Sequence, residues 1–210
     1  HYIERRIETF YRREAAVIYP PVAVEKFRHD RPREAFYLTA SRMVPYKRID
    51  LIVEAFTQTP ERQLVVIGDG PDFKQLKEKA GPNITLLGFQ PDSVLIDYLE
   101  RAQAFIFMAE EDFGILPVEA QAAGAPVIGY GVGGLKETIV NGVTGLHVAE
   151  QSASALLTSL AHFETRRQED PTAYAPEACA QQAKHFERSV FSNEITTFIA
   201  QKRQEQMAKI

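Results

Sequence analysis

Cysteine is nearly absent: Cys179 stands alone among 210 residues. No internal disulfide can form, and a cysteine-based zinc site is excluded. A reducing setting, the cytoplasm, is expected. Excess positive charge is lacking too. Lys and Arg number 24 against 28 Asp and Glu, a net charge of −4, which argues against a general nucleic-acid binder. No apolar run reaches the ~18 residues that suggest a transmembrane helix. The opening HYIERRIETFYRRE has no apolar signal core. It also lacks an initiator Met, so the chain is expected to be part of something longer. No Asp-x-Asp pair is present to hold a divalent metal, and the histidines at 1, 29, 147, 162 and 185 lack ligand spacing. No metal is expected. What remains is 45% hydrophobic and 25% charged, the balance of an ordinary soluble domain.

Residues 1–34 carry eight basic and six acidic side chains, net +2, which leaves the remainder at −6. Residues 4–14 read as a charged helix with Ile3, Ile7, Phe10 and Tyr11 at helical spacing. Pro20-Pro21 then impose a stiff, extended connector, which ends near Arg33. From residue 36 short apolar runs (36–40, 64–67, 84–87, 104–108, 126–129) alternate with helical stretches (49–57, 72–79, 92–101, 116–123). Such alternation predicts right-handed βαβ units and a Rossmann-like, doubly wound parallel sheet. The runs are apolar almost throughout, as strands covered on both faces should be. A last run, 145–148, follows the Asn141-Gly142 turn. Beyond Glu150 the pattern is helical over 153–163, 175–186 and 191–204, with 166–171 a polar loop. Three segments follow: 1–33, a helix and linker; 34–150, the α/β domain; and 151–210, a helical carboxyl-terminal tail packed on it.

In an open parallel sheet, ligands bind outside the carboxyl ends of the strands. After the first strand comes SRMVPYKR, residues 41–48, with three cations in seven residues. A cation at a helix amino terminus is unfavourable by roughly 0.3–1 kcal/mol unless an anion compensates, so Arg42, Lys47 and Arg48 suggest an anion site. Gly68-Asp69-Gly70-Pro71 reads as a plain strand-to-helix turn, with Pro71 at the first helical position. Gly88-Phe89-Gln90-Pro91-Asp92 leaves two readings open. Phe89 and neighbouring backbone could hold a flat ring, or Phe89 is core and Asp92 caps the next helix. After the fourth strand, residues 110–119 read EEDFGILPVE. Pro117 suits the first helical position, which puts Glu119 third. Gly114 admits a ligand close to the backbone, and the helix's free amides suit an anion. Glu111 and Glu119 flanking such a helix start suggest a ligand with both phosphates and hydroxyls, with Glu110 left in a solvated acidic loop.

Two patterns fail. Gly129–Gly134 matches G-x-G-x-x-G, but too late in the chain and without the acidic residue a dinucleotide site needs. NAD binding is rejected, while Gly133-Gly134 is kept as a close-approach turn. Asp112-Phe113-Gly114 spells a kinase tripeptide without the loops that accompany it.

Taken together, these loops resemble the carboxyl-terminal domain of a GT-B glycosyltransferase of family 4 across about residues 17–148. Glu111-x7-Glu119, within EDFGILPVEAQAAGAPVI, resembles the family's E-x7-E segment. SRMVPYKR resembles its diphosphate-binding loop, and YPPV its interdomain linker. The wording SR-x-VPYKRIDLIVEAF with EDFG looks most like the mannosyltransferase branch of O-antigen synthesis, whose donor is GDP-mannose. Many relatives have Gly where this chain has Ser41 and Asp112; the latter bears on the sugar pocket.

The resemblance implies one half of a GT-B fold and a retaining hexosyltransferase with a nucleotide-sugar donor, no cofactor and no metal. Arg42 and Lys47 would neutralise the diphosphate. Glu119 would bind ribose hydroxyls. Glu111, with the amides of Phe113 and Gly114, would hold the hexose. The amides of Ile115 and Leu116 would meet the distal phosphate, and the Gln90 backbone would meet the base. A preceding domain would supply the site for a glycan or lipid-linked acceptor, so residues 1–210 alone are expected to bind donor weakly without turnover. Peripheral contact with the inner face of a membrane stays open for the longer protein. Two rival readings are a non-catalytic nucleotide-sugar-binding module and, more weakly, a nucleotide-sugar epimerase of the same fold.

Overall fold

The computed structural model describes residues 1–208. After helix α1 (Tyr2–Tyr11), six strands alternate with helices: β1 (Glu34–Ala40), α2 (Ile49–Thr57), β2 (Gln63–Ile67), α3 (Phe73–Lys79), β3 (Ile84–Gly88), α4 (Asp92–Arg101), β4 (Ala102–Phe107), α5 (Ile115–Ala122), β5 (Val127–Tyr130), α6 (Leu135–Thr138) and β6 (Gly145–Val148). Helices α7 (Ala153–Glu169), α8 (Pro176–Ala183) and α9 (Arg188–Met207) follow. The strands form one parallel sheet in the order β3-β2-β1-β4-β5-β6. Chain direction across the sheet therefore reverses between β1 and β4, and a crevice opens at their carboxyl ends.

Each sheet face has its own core. On β1, Phe36, Leu38 and Ala40 pack towards α4, α5 and α6. Tyr37 packs the other way, against Ile52 and Phe56 of α2 and Leu160 and Phe163 of α7. This period of two, with both sets buried, is why the strands look uniformly apolar in sequence. A third cluster joins Val22 of the linker to Val118 and Ala122 of α5 and Phe186 beyond α8. Arg33, at the linker's end, is mostly buried and donates to the carbonyls of Leu99, Ala102 and Ala123, closing the ends of α4 and α5. Among the described residues, no helix is long and apolar enough to cross a membrane.

Most expected elements match within a residue or two, with informative exceptions. Helix α1 stops at Arg12, which turns left-handed at φ 53°, short of the expected residue 14. The stretch 166–171, read as a loop, is helical to Glu169. Arg166 and Arg167 complement the helix's negative end, and Asp170-Pro171 stops it. The one-turn helix α6 is too short for any periodicity to reveal.

One buried polar clamp makes a stability prediction. Tyr37, fully buried, donates its hydroxyl to Glu164 at 2.7 Å. Arg62 grips the same carboxylate through two nitrogens, at 2.8 and 2.7 Å. That guanidinium lowers the Glu164 pKa. Glu164→Ala should cost about 1–3 kcal/mol, because it leaves a buried hydroxyl unpaired. A carboxyl lowered by folding contributes stability above its unfolded pKa and loses it as pH falls through the folded one. Urea unfolding at pH 7 and pH 3 should show the gap between wild type and variant shrinking in acid.

Candidate functional site

The loop after β1 is fixed by the turn after β2. Ser41 N–H donates to Ile67 O at 3.1 Å, and Met43 N–H donates to Asp69 O at 2.9 Å. A side chain at Gly68 (φ 130°) or Gly70 would overlap the Ser41 or Met43 carbonyl. The Gly68–Pro71 segment, read as a plain turn, therefore clamps the segment that carries Arg42. Its Pro71 also precedes α3 by two residues instead of opening it. Met43 is fully buried, while Arg42 is exposed with no side-chain partner among the described residues. The 3-10 turn Pro45–Lys47 then delivers Lys47. Its ammonium pairs with Glu111 and lies 5.0 Å from the Tyr46 ring centre and 5.7 Å from that of Phe107.

Arg48 does not join them. It turns left-handed at φ 55° and directs its guanidinium to Asp50 and Gln151. The expected trio of cations is thus a pair, Arg42 and Lys47. Asp50, in the first turn of α2, offsets the charge that Arg48 places there.

The loop after β4 leads to the amino terminus of α5. Gly114, at φ 85°, precedes the helix, which begins at Ile115. Pro117 is therefore third and Glu119 fifth, not first and third as expected. A proline fits anywhere in the first turn, since none of those amides has an intrahelical acceptor. The amides of Ile115 and Leu116 occupy the first two positions of that turn, where the helix itself offers them no acceptor. Gly134 N–H donates to Glu111 O at 2.7 Å, and a Cβ on Gly134 would lie 2.5 Å from Phe113 O. The close approach expected of Gly133-Gly134 is observed. Glu110 is exposed, as expected of the acidic loop, yet accepts from the Tyr2 hydroxyl.

These two loops enclose an open cleft of about 540 Å³ between β1 and β4. Arg42, Lys47, Glu111, Phe113, Gly114, Ile115 and Leu116 all line it. Gln90 and Glu119 are not among its lining residues. Glu119 is half-buried, and its carboxylate has no hydrogen-bond partner among the described residues. Burial raises its pKa, with smaller contributions from the charges of Lys26 and Asp92. In the β3–α4 loop Gln90 bonds through its side chain to Leu87 O at 2.8 Å. Phe89 is 78% exposed, so the core reading fails. Asp92 opens α4 after Pro91 and makes no capping bond. Two cations, a helix amino terminus and carboxylates at graded distance can bind a ligand that carries phosphate at one point and hydroxyls at others.

The sequence model of the family described as glycosyl transferases group 1 matches residues 23–185. A D-inositol 3-phosphate glycosyltransferase of Corynebacterium glutamicum (strain R) is 34% identical over 145 residues, 60% of this chain and 35% of that protein. A lipopolysaccharide 1,2-N-acetylglucosaminetransferase of Salmonella typhimurium (strain LT2) is 32% identical over 136 residues, 56% of this chain and 35% of that protein. The chain thus spans about a third of the length of these curated relatives. Among solved structures, a glycosyltransferase from Rickettsia africae superposes with TM-score 0.81 at 21% identity, covering 94% of this chain and 60% of that one. Anabaena Alr3699/HepE, in complex with UDP and glucose, gives TM-score 0.72 at 20% identity, covering 89% and 57%. At such identities the likeness is one of fold.

Proposed function

Because the chain belongs to the glycosyl transferases group 1 family and folds as one half of a GT-B enzyme, we propose that it is the donor-binding half of a retaining hexosyltransferase. One observation carries this reading. At the reversal of strand order, Arg42 and Lys47 face the amides that open α5, with Glu111 beside them.

Breaking the bond between a sugar and a diphosphate develops negative charge on the leaving phosphate. Fixed cations and helix amides stabilise that charge without reorganising. Arg42, Lys47 and the amides of Ile115 and Leu116 take this role. Glu111, with the amides of Phe113 and Gly114, accepts the hexose hydroxyls. Glu119 takes the ribose, and the Gln90 backbone takes the base. No metal is required. The acceptor, a glycan or a lipid-linked sugar, enters from a preceding domain of the longer protein.

Within the donor class, the wording SR-x-VPYKRIDLIVEAF supports mannose from GDP-mannose. The HepE complex holds UDP and glucose, so the base is decided by titration. Calorimetry with GDP, UDP and ADP should show one preferred diphosphate, bound far more tightly than its nucleoside, and EDTA should leave the affinity unchanged. Equal affinity for nucleoside and diphosphate would contradict the reading. Loss of binding with EDTA, restored by Mn²⁺, would transfer the phosphate role to a metal.

The raised pKa of Glu119 adds a pH dependence. Ribose hydroxyls donate to the ionised carboxylate, so affinity is full above that pKa and falls as pH drops through it. The diphosphate itself also protonates near pH 6, so the informative quantity is the difference from Glu119→Gln. Wild-type affinity should fall more steeply than the variant's as pH is lowered. Parallel curves would remove Glu119 from the ribose.

A further inference from the structure

We propose that Gln151 is a positioning residue for this site: it ties the loop after β1 to the end of β4, and so holds Lys47 and Glu111 within reach of one ligand. Gln151 lies between β6 and α7, and it is not among the residues that line the cleft. Its side-chain amide nevertheless spans the strand reversal. Nε2 donates to Met108 O at 2.7 Å, and Oε1 accepts from Arg48 Nη1 at 3.0 Å. Both partners sit at critical points. Met108 is fully buried, directly beyond β4, and its chain runs on to Glu111. Arg48 follows Lys47 directly.

Arg48 is also the strained member of the loop. At φ 55° it occupies a left-handed conformation that L side chains rarely adopt. Such residues persist where their surroundings over-determine them. Here the guanidinium is held on two sides: Nε and Nη2 donate to Asp50 at 3.2 and 3.3 Å, and Nη1 donates to Gln151. The turn leading to Arg48 closes through Lys47 N–H to Val44 O at 3.0 Å and Arg48 N–H to Pro45 O at 3.2 Å. Releasing one side of the guanidinium therefore loosens the turn that aims Lys47.

A primary amide is the side chain this position requires, because one planar group must donate on one edge and accept on the other. A glutamate would keep the Arg48 contact but set an oxygen against the Met108 carbonyl. A methionine would provide neither bond.

The ligand half of this proposal rests on the donor-binding reading, so the test has two readouts. The first is hydrogen exchange at the Lys47 and Arg48 amides, which needs no ligand. Gln151→Ala should speed it about tenfold, as expected for local opening in a protein that otherwise stays folded. The second is calorimetric affinity for nucleoside diphosphate and for nucleoside. Gln151→Ala and Gln151→Glu should each weaken the diphosphate about tenfold and leave the nucleoside unchanged, a coupling of the usual size. Arg48→Gly adopts the left-handed conformation freely and removes the arginine end of the bridge. Adding Gln151→Ala to it should cause no further change in exchange at residue 47.

Unchanged exchange in Gln151→Ala would overturn the proposal. So would equal losses for nucleoside and diphosphate, or full additivity with Arg48→Gly. A wild-type protein that binds no diphosphate would defeat the donor-binding reading instead, and the exchange data would still decide whether Gln151 holds the loop.

Discussion

Gly134→Ala is expected to destabilise the protein by on the order of 3 kcal/mol and to remove most of its affinity for nucleoside diphosphate. The cause is steric. Gly134 has ordinary helical dihedrals, φ −63° and ψ −25°, so alanine meets no conformational penalty there. Its methyl group would lie 2.5 Å from Phe113 O and 2.6 Å from Phe113 N, both backbone atoms that cannot swing aside. Relief requires the loop before α5 to move away, which breaks the 2.7 Å bond from Gly134 N–H to Glu111 O. The same movement displaces Glu111 and the amides that line the cleft. Gly142→Ala is the control. That glycine is left-handed at φ 79°, but no atom lies within 4 Å of its missing Cβ. It should cost about 1–2 kcal/mol for the dihedral alone and leave binding intact. Urea denaturation and calorimetry on both variants check this. A Gly134→Ala protein with wild-type affinity would show that the loop yields without disturbing the site.

Much of the architecture is legible because it follows from local chemistry. The apolar runs and amphipathic stretches locate all six strands and most helices, and chirality then leaves a doubly wound sheet as the natural outcome. Less legible are features set by contacts distant in sequence. Gly68 and Gly70 look like ordinary turn residues until the loop they clamp, some 27 residues earlier, is seen lying on them. Arg48 looks like a third cation for the anion site. Only its left-handed backbone sends it to Gln151, 103 residues away. The start of α5 was misplaced because proline is read as a first helical residue, whereas the whole first turn tolerates it. Of the residues lining the cleft, Phe113, Ile115 and Leu116 are singled out only by the family resemblance, whereas Arg42, Lys47, Glu111 and Gly114 were legible from strand-end position, proline, glycine and charge type together. The contact between Lys47 and Glu111 was not, since a sequence assigns each charge a role without showing that the two neutralise each other.

That contact decides the expected result for Lys47→Ala. Their side chains are only 17% and 23% exposed, so the pair is shielded from solvent more than a typical surface bridge. On the proposed donor-binding reading, a donor takes Lys47 for its phosphate, and its hexose hydroxyls then replace Lys47 at Glu111. Lys47→Ala removes a charge-assisted bond worth roughly 1.5–3 kcal/mol and leaves the Glu111 carboxylate uncompensated beside an incoming anion. The loss in diphosphate affinity should exceed about a hundredfold and be greater than that for Arg42→Ala, since Arg42 leaves no unpaired partner behind. Glu111→Gln should act in the opposite direction on the bare diphosphate, tightening it modestly, because Lys47 no longer has to leave a carboxylate. It should nonetheless weaken the complete sugar nucleotide relative to the diphosphate. The double variant Lys47→Ala/Glu111→Gln should recover part of what Lys47→Ala loses, with a coupling of about 0.5–3 kcal/mol. Thermal melts establish that each variant is folded, and titrations with nucleoside, diphosphate and sugar nucleotide separate the contributions. If the double variant binds diphosphate no better than Lys47→Ala, Glu111 exerts no repulsion in the site and the two residues do not compete for one donor.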